Sequence, residues 1–257
     1  MVQDAPDRFA RAATRLRIAP GRGRPAATVP WDWSDIGLFL VIYVLGSSLI
    51  ASIGTSPPVE SFGRNLLRGL SPSQQSAVGS LTLQTAVYAV ALAIVLILVI
   101  GRRHARTADL GWRLPRLIWL PLAAVSAGVA LVLLTGILEV IHLVLPSATN
   151  GQIPEVQSEY GNNLALAIPA VSVVAPIVEE TFFRGFVYGW MRRRLNVPAA
   201  AVLSGCFFAL VHFQPVIFVP LAVLGAGLAL LYEYSGSLLP GMIVHGLFNL
   251  VEIINIV

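Results

Sequence analysis

The 257-residue chain is 56% hydrophobic and 12% charged, with a mean hydropathy of +0.77 and a net charge of +4. Soluble domains carry roughly 25% charged residues, and this chain has apolar runs beyond the ~18 to 20 residues that cross a hydrocarbon core of about 30 Å. A water-soluble globule is excluded, and the single cysteine, Cys206, excludes an intrachain disulfide or a multi-cysteine metal site.

Residues 1–30 are rich in Arg, Asp, Pro and Gly, and no apolar run begins before Ile36, so they are no signal peptide. Phe9, Ala12, Ala13 and Leu16 share a stripe opposite Arg8, Arg11 and Arg15, which reads as an interfacial helix or a disordered basic tail. From residue 31 to 257 the pattern is one membrane domain, an all-α polytopic bundle of about seven spans (seven or eight). The predicted spans run from about Ile36 to Gly54, Val78 to Ile100, Leu117 to Leu145 and Leu164 to Trp190. Three more follow, from about Val197 to Phe213, Val216 to Tyr234 and Leu238 to Ile256. Thr55 to Ala77 and Pro146 to Asn163 read as loops, and no Asp falls inside the predicted spans.

All seventeen basic residues are Arg, a usage that fits a GC-rich bacterial source. Six lie in the tail, five between Arg102 and Arg116, and three at Arg192 to Arg194; Pro146 to Asn163 has none. With seven alternating spans, all three Arg-rich segments fall on one side, so a cell-membrane protein with its N-terminus in the cytosol is expected.

Ionisable groups at membrane depth are costly and need a partner or a function. Glu179 and Glu180 lie roughly 15 to 17 Å in from Trp190, His212 roughly 22 Å along the fifth span, and His245 about 11 Å along the seventh. Three helices thereby deliver Glu, Glu, His and His to one middle stratum. Glu139, His142 and Glu233 lie near span ends and read as interfacial, whereas Glu252 shares a stripe with His245 and Asn249 and reads equally as interfacial or cavity-lining.

Glu180 and Arg184, four apart, share a face and can pair as a buried staple, leaving Glu179 free on an adjacent face. Phe208 and His212 are four apart on the fifth helix, His245 and Asn249 four apart on the seventh. Ser237, Gly241 and Gly246 are small enough to let helices approach closely. Glu179 as general base with His212 beside it could aim a water at a carbonyl carbon. His245 and Asn249 could hold the resulting oxyanion. Glu179, His212 and His245 are equally a donor set for zinc, and spacing does not separate the two chemistries. No H-E-x-x-H or G-x-S-x-G occurs.

The stretches EETFFR at 179–184, FALVH at 208–212 and HGLFN at 245–249 resemble the E-E-x-x-x-R, F-x-x-x-H and H-x-x-x-N motifs of the CPBP intramembrane proteases, the CAAX prenyl endopeptidase or Abi family. The resemblance covers about 164–255, the catalytic core it implies. It implies an endopeptidase acting on a membrane-associated peptide or protein, from a cavity that opens toward the cytosol. By the same resemblance Glu179 and His212 activate water, His245 and Asn249 hold the oxyanion, and Glu180 and Arg184 support them. No cofactor is required on a glutamate mechanism, although family names often say metalloprotease. No nucleic-acid partner is expected. Two other readings stand beside this one: a non-catalytic membrane binding or bacteriocin-immunity-type protein, and a transporter or proton relay built on the carboxylates.

Overall fold

Asp32 starts the first membrane helix. Its carboxylate accepts from the Ser34 amide and hydroxyl at 2.8 and 2.7 Å, and the Asp35 carboxylate accepts from the Asp32 amide at 2.8 Å. This reciprocal box satisfies helix-start N–H groups that would otherwise lack a partner. The computed structural model describes residues 29–146, 152–160 and 163–254, so the tail before residue 29 lies outside the described residues.

Among the described residues every regular element is a helix. Helix α1 spans Trp33–Gly54, α2 Pro57–Leu66, α3 Pro72–Arg102, α4 Trp119–Val144 and α5 Gln152–Tyr160. Helix α6 spans Leu164–Met191, α7 Val197–Leu210, α8 Phe218–Ser235 and α9 Leu239–Ile254. Five of these, α1, α3, α4, α6 and α8, are long and apolar enough to cross a membrane, and α7 and α9 are shorter apolar helices. All seven predicted spans are therefore helices, and the protein is a multi-pass membrane protein. Fourteen-residue α7 reaches only ~21 Å at 1.5 Å per residue.

Two predicted loops contain helices. Proline at the first position of α2 costs no intrahelical bond, because that N–H would be unsatisfied anyway. Helix α5 likewise occupies the middle of the second predicted loop. Helix α1 also begins before its predicted start, which brings Asp35 into a span. That buried carboxylate is held by Arg103 at 2.7 Å and Arg102 at 3.5 Å from the end of α3.

Helices α1 and α4 bury little and turn Val41, Val44, Leu45, Val125, Val129 and Val132 outward, as lipid-facing helices do. Helix α6 is the buried centre. It is π-helical at Ala170–Val174 and Thr181–Tyr188, on either side of the double Glu. Such local widening of a helix occurs often at functional sites. Around it, α9 closes in because Gly246 stacks its Cα on Ser172 O, where a Cβ would collide. Helices α7 and α8 cross at Gly205 and Gly225, where a Cβ on Gly205 would overlap the α8 backbone at Ala222 and Ala226. Small residues at crossings let apolar helices pack by direct van der Waals contact in lipid.

The Arg-rich end of the bundle is stapled together. Trp31 is fully buried, stacks on Phe186 and donates its indole N–H to Phe186 O at 2.8 Å, while Arg193 donates to Trp31 O at 2.7 Å. Arg192 pairs with Glu233 at 3.1 Å, and Tyr188 donates to the same carboxylate at 2.8 Å. The carboxylate beside it pushes the Arg192 pKa above its ordinary value. Glu233 is thus a partnered group at a helix end.

Candidate active site

Helix α6 carries the double Glu. Glu180 is fully buried, and its Oε1 accepts from Arg184 Nη1 at 2.8 Å and from His245 Nδ1 at 3.0 Å. Arg184 reaches on to Gly225 O at 3.1 Å, and its guanidinium lies 4.6 Å from the Phe208 ring centre. The expected Glu180–Arg184 pair is present and extends to a third helix through His245. Burying an ion pair is tolerable only when further hydrogen bonds complete it. Gly241 allows that approach: a Cβ there would sit 2.9 Å from Glu180 Oε2.

Glu179 is not free. Its Oε1 accepts from the Tyr88 hydroxyl at 2.8 Å, and its Oε2 lies 3.7 Å from His245 Nε2. The second distance exceeds a hydrogen bond, so among the described residues Oε2 accepts none, and Glu179 lines the cavity. Tyr88 belongs to α3, far outside the three motifs, and sequence reasoning missed it. The available signal was Gln84 and Tyr88, four apart on one face of a predicted span.

Helix α7 ends at Leu210 rather than at the predicted Phe213. His212 therefore sits in the turn that follows, ahead of Phe213 with its positive φ of 52°. Its Nδ1 bonds to Phe208 O at 2.7 Å. A carbonyl only accepts, so Nδ1 carries the proton and Nε2 is the basic nitrogen. The same argument gives His245 its proton on Nδ1, facing Glu180. Phe208, buried between them, meets His212 and His245 edge to face at 4.6 and 5.5 Å.

Asn249 donates Nδ2 to Val171 O at 2.8 Å. In the π-turn Ala175 N–H bonds Ala170 O, so the donor due to Val171 would be residue 176, which is proline. Proline has no N–H, and the Asn249 amide fills the vacancy. One N–H of that amide is used structurally and the second is left over.

Glu179, His212, His245, Asn249 and Glu252 all line one cavity of about 810 Å³, together with Tyr43, Gln84 and Tyr88. Glu252 thus lines the cavity. Glu139 is exposed and His142 half-buried near the end of α4, as expected of interfacial groups. Cys206 is a half-buried free thiol. Among the described residues no group of three or more His, Cys, Asp and Glu is disposed to hold a metal. The donor set Glu179, His212 and His245 shares the cavity without forming such a group.

The cavity has a direction. Phe39, Phe182 and Phe183 lie on its Arg-rich side, with Phe39 and Phe182 stacked at 4.3 Å and Phe186 and Trp31 beyond them. Gln84, Val156, Glu159, Gln214 and Glu252 line the other side, toward α5. The charge rule puts the cytosol at the Arg-rich end, whereas the resemblance implies a cavity opening toward the cytosol. The two expectations are not met together.

Residues 161–251 match the family model described as type II CAAX prenyl endopeptidase Rce1-like. No curated protein and no solved structure matches the chain. The matched segment runs from the start of α6 through the Asn249 motif, and Tyr88 lies outside it.

Proposed function

We propose that this chain, whose residues 161–251 match the type II CAAX prenyl endopeptidase Rce1-like model, is an intramembrane protease of the CPBP kind that hydrolyses a peptide bond of a membrane-associated peptide or protein in the 810 Å³ cavity. The single observation behind the residue assignment is the Glu179 carboxylate. It is fixed through Oε1 and leaves Oε2 turned to the space shared with His245. Glu179 is the general base, and His212, with its basic Nε2, helps to aim the water. Oxygen of that water attacks the carbonyl carbon as its proton passes to Glu179. The carbonyl π pair becomes an oxyanion that the second Asn249 N–H stabilises, joined by His245 Nε2 when that ring carries a proton on both nitrogens. Collapse re-forms the carbonyl, the C–N bond breaks, and the proton held by Glu179 leaves on the amine. The products are a carboxylic acid and an amine, and no metal enters any step.

The proposal extends to a cell-membrane location with the N-terminus in the cytosol, on the strength of the Arg distribution. Purified wild type and Glu179→Gln, incubated with a library of membrane peptides, test the chemistry. Cleavage lost in the variant, with its thermal midpoint retained, is the expected result. Equal cleavage by both proteins overturns the role of Glu179. No cleavage by either moves the reading to a non-catalytic binding protein.

A further inference from the structure

The matched segment does not contain every group that touches the reacting carboxylate. We infer that Tyr88, on α3, is the positioning residue of Glu179, so that the catalytic centre is completed by a helix outside that segment. The inference rests on the proposed role of Glu179 and adds the residue that holds it in register.

Four observations carry it. The Tyr88 hydroxyl donates to Glu179 Oε1 at 2.8 Å across a sequence separation of 91 residues. A carboxylate only accepts and a phenol can donate, so the direction of the bond is fixed. A phenol withdrawn from water needs a partner, and the partner it has is the carboxylate of the first motif. Finally, Tyr88 and Gln84 both face the cavity, and Gln84 accepts from Tyr160 at 2.5 Å. Helix α3 thus presents two polar side chains, about one turn apart, to the cavity.

The bond has a specific effect on Glu179. A carboxylate on a two-carbon stem can rotate, and only a tether at one oxygen gives the other a fixed aim. With Oε1 held by Tyr88, Oε2 is the oxygen turned to His245 and the cavity. Tyr43 on α1, Glu180 and Arg184 on α6 and His245 on α9 are other titratable groups near Glu179. Among the described residues none of them makes a hydrogen bond to it.

Docking of α3 does not depend on the phenol oxygen. Ala91, Ile94, Val95 and Leu98 pack with Val178, Phe186 and Val187 in one apolar cluster. Removing only the hydroxyl leaves that packing and the aromatic ring in place. Tyr88→Phe is therefore a fair probe of position rather than of folding.

Two measurements on the full-length protein decide the matter. In steady-state cleavage of a membrane peptide, Tyr88→Phe is expected to lower kcat on the order of ten- to hundredfold with KM changed less than about twofold, the pattern of an interaction felt in the transition state. An unchanged kcat overturns the inference, as does a raised KM at constant kcat, which would make the phenol a substrate contact. The second measurement does not depend on turnover. The Glu179 carboxylate stretch, isolated as the infrared difference between wild type and Glu179→Gln, is expected to shift in the Tyr88→Phe background. An unshifted band overturns the inference. If wild type cleaves nothing, the proposed activity falls, while the infrared result still decides whether Tyr88 holds Glu179.

Discussion

Glu180 Oε1 lies 3.0 Å from His245 Nδ1, which ties the first and last of the three motifs together across two helices. With Arg184 on the same oxygen at 2.8 Å, the carboxylate compensates a fully buried guanidinium. Glu180→Leu leaves that guanidinium unpaired and is expected to destabilise the protein by about 3–5 kcal/mol. Thermal unfolding in detergent checks this, and a midpoint equal to wild type would refute it.

Helix crossings make a second, sharper comparison. A methyl at Gly205 would overlap the α8 backbone, and one at Gly246 would overlap Ser172 O, whereas Gly227 faces open space. Gly205→Ala and Gly246→Ala should each cost about 1–3 kcal/mol through overpacking. Gly227→Ala should instead gain roughly 0.5–1 kcal/mol of helix propensity. The same unfolding assay reads all three, and equal midpoints would refute the crossing geometry.

At the start of α1 the Ser34 hydroxyl and amide, and then Arg103, hold the Asp32 carboxyl down to about 2 from its ordinary 3.8. A depressed carboxyl contributes stability above its unfolded pKa and loses it as pH falls through the folded one. The stability difference between wild type and Asp32→Asn should therefore be constant from pH 7 to about 4 and shrink between 3.8 and about 2. A difference that closes already at about pH 5 would contradict it.

Sidedness is open to direct labelling. In a Cys206→Ser background, Ser61→Cys on exposed α2 and Thr107→Cys on the Arg-rich end report opposite faces. If the Arg-rich end is cytosolic, an impermeant maleimide added to intact cells labels Ser61→Cys and not Thr107→Cys. The reverse pattern would turn the protein over and point the cavity at the cytosol.

Metal removal completes the set. On the glutamate mechanism, cleavage by the purified protein is unchanged by a strong chelator of divalent zinc. Loss of activity that zinc restores would assign Glu179, His212 and His245 to a metal instead.

Hydropathy located all seven apolar helices to within a few residues at most ends, with α3 the exception at Pro72. A 20-residue apolar run has little choice in lipid but helix. Helices α2 and α5 escaped because they are short and polar, and lie among Pro, Ser and Gly that read as loop. The motif residues were legible because a charge at that depth is rare. Their mutual arrangement was not. Hydropathy is blind to a change from i→i+4 to i→i+5 bonding, so the π-turns of α6 left no trace. Nor does any spacing rule connect residue 88 to residue 179, and a tyrosine within an apolar run is ordinary. The role of Asn249 in covering for Pro176 becomes visible only once Val171 O is seen without a backbone donor.

Helix α7 is shorter than a hydrocarbon core of about 30 Å requires. Its ~21 Å leaves the following turn, with His212 and Gln214, several ångströms below the level at which a full-length span would surface. In a bilayer of ordinary thickness, acyl chains around it would tilt or bow to meet it, at a cost of fractions of a kcal/mol per ångström. A dimple of that kind brings headgroups and their hydration toward the imidazole. On the proposed function the second reactant is water, and the truncated rod would shorten its descent to the imidazole.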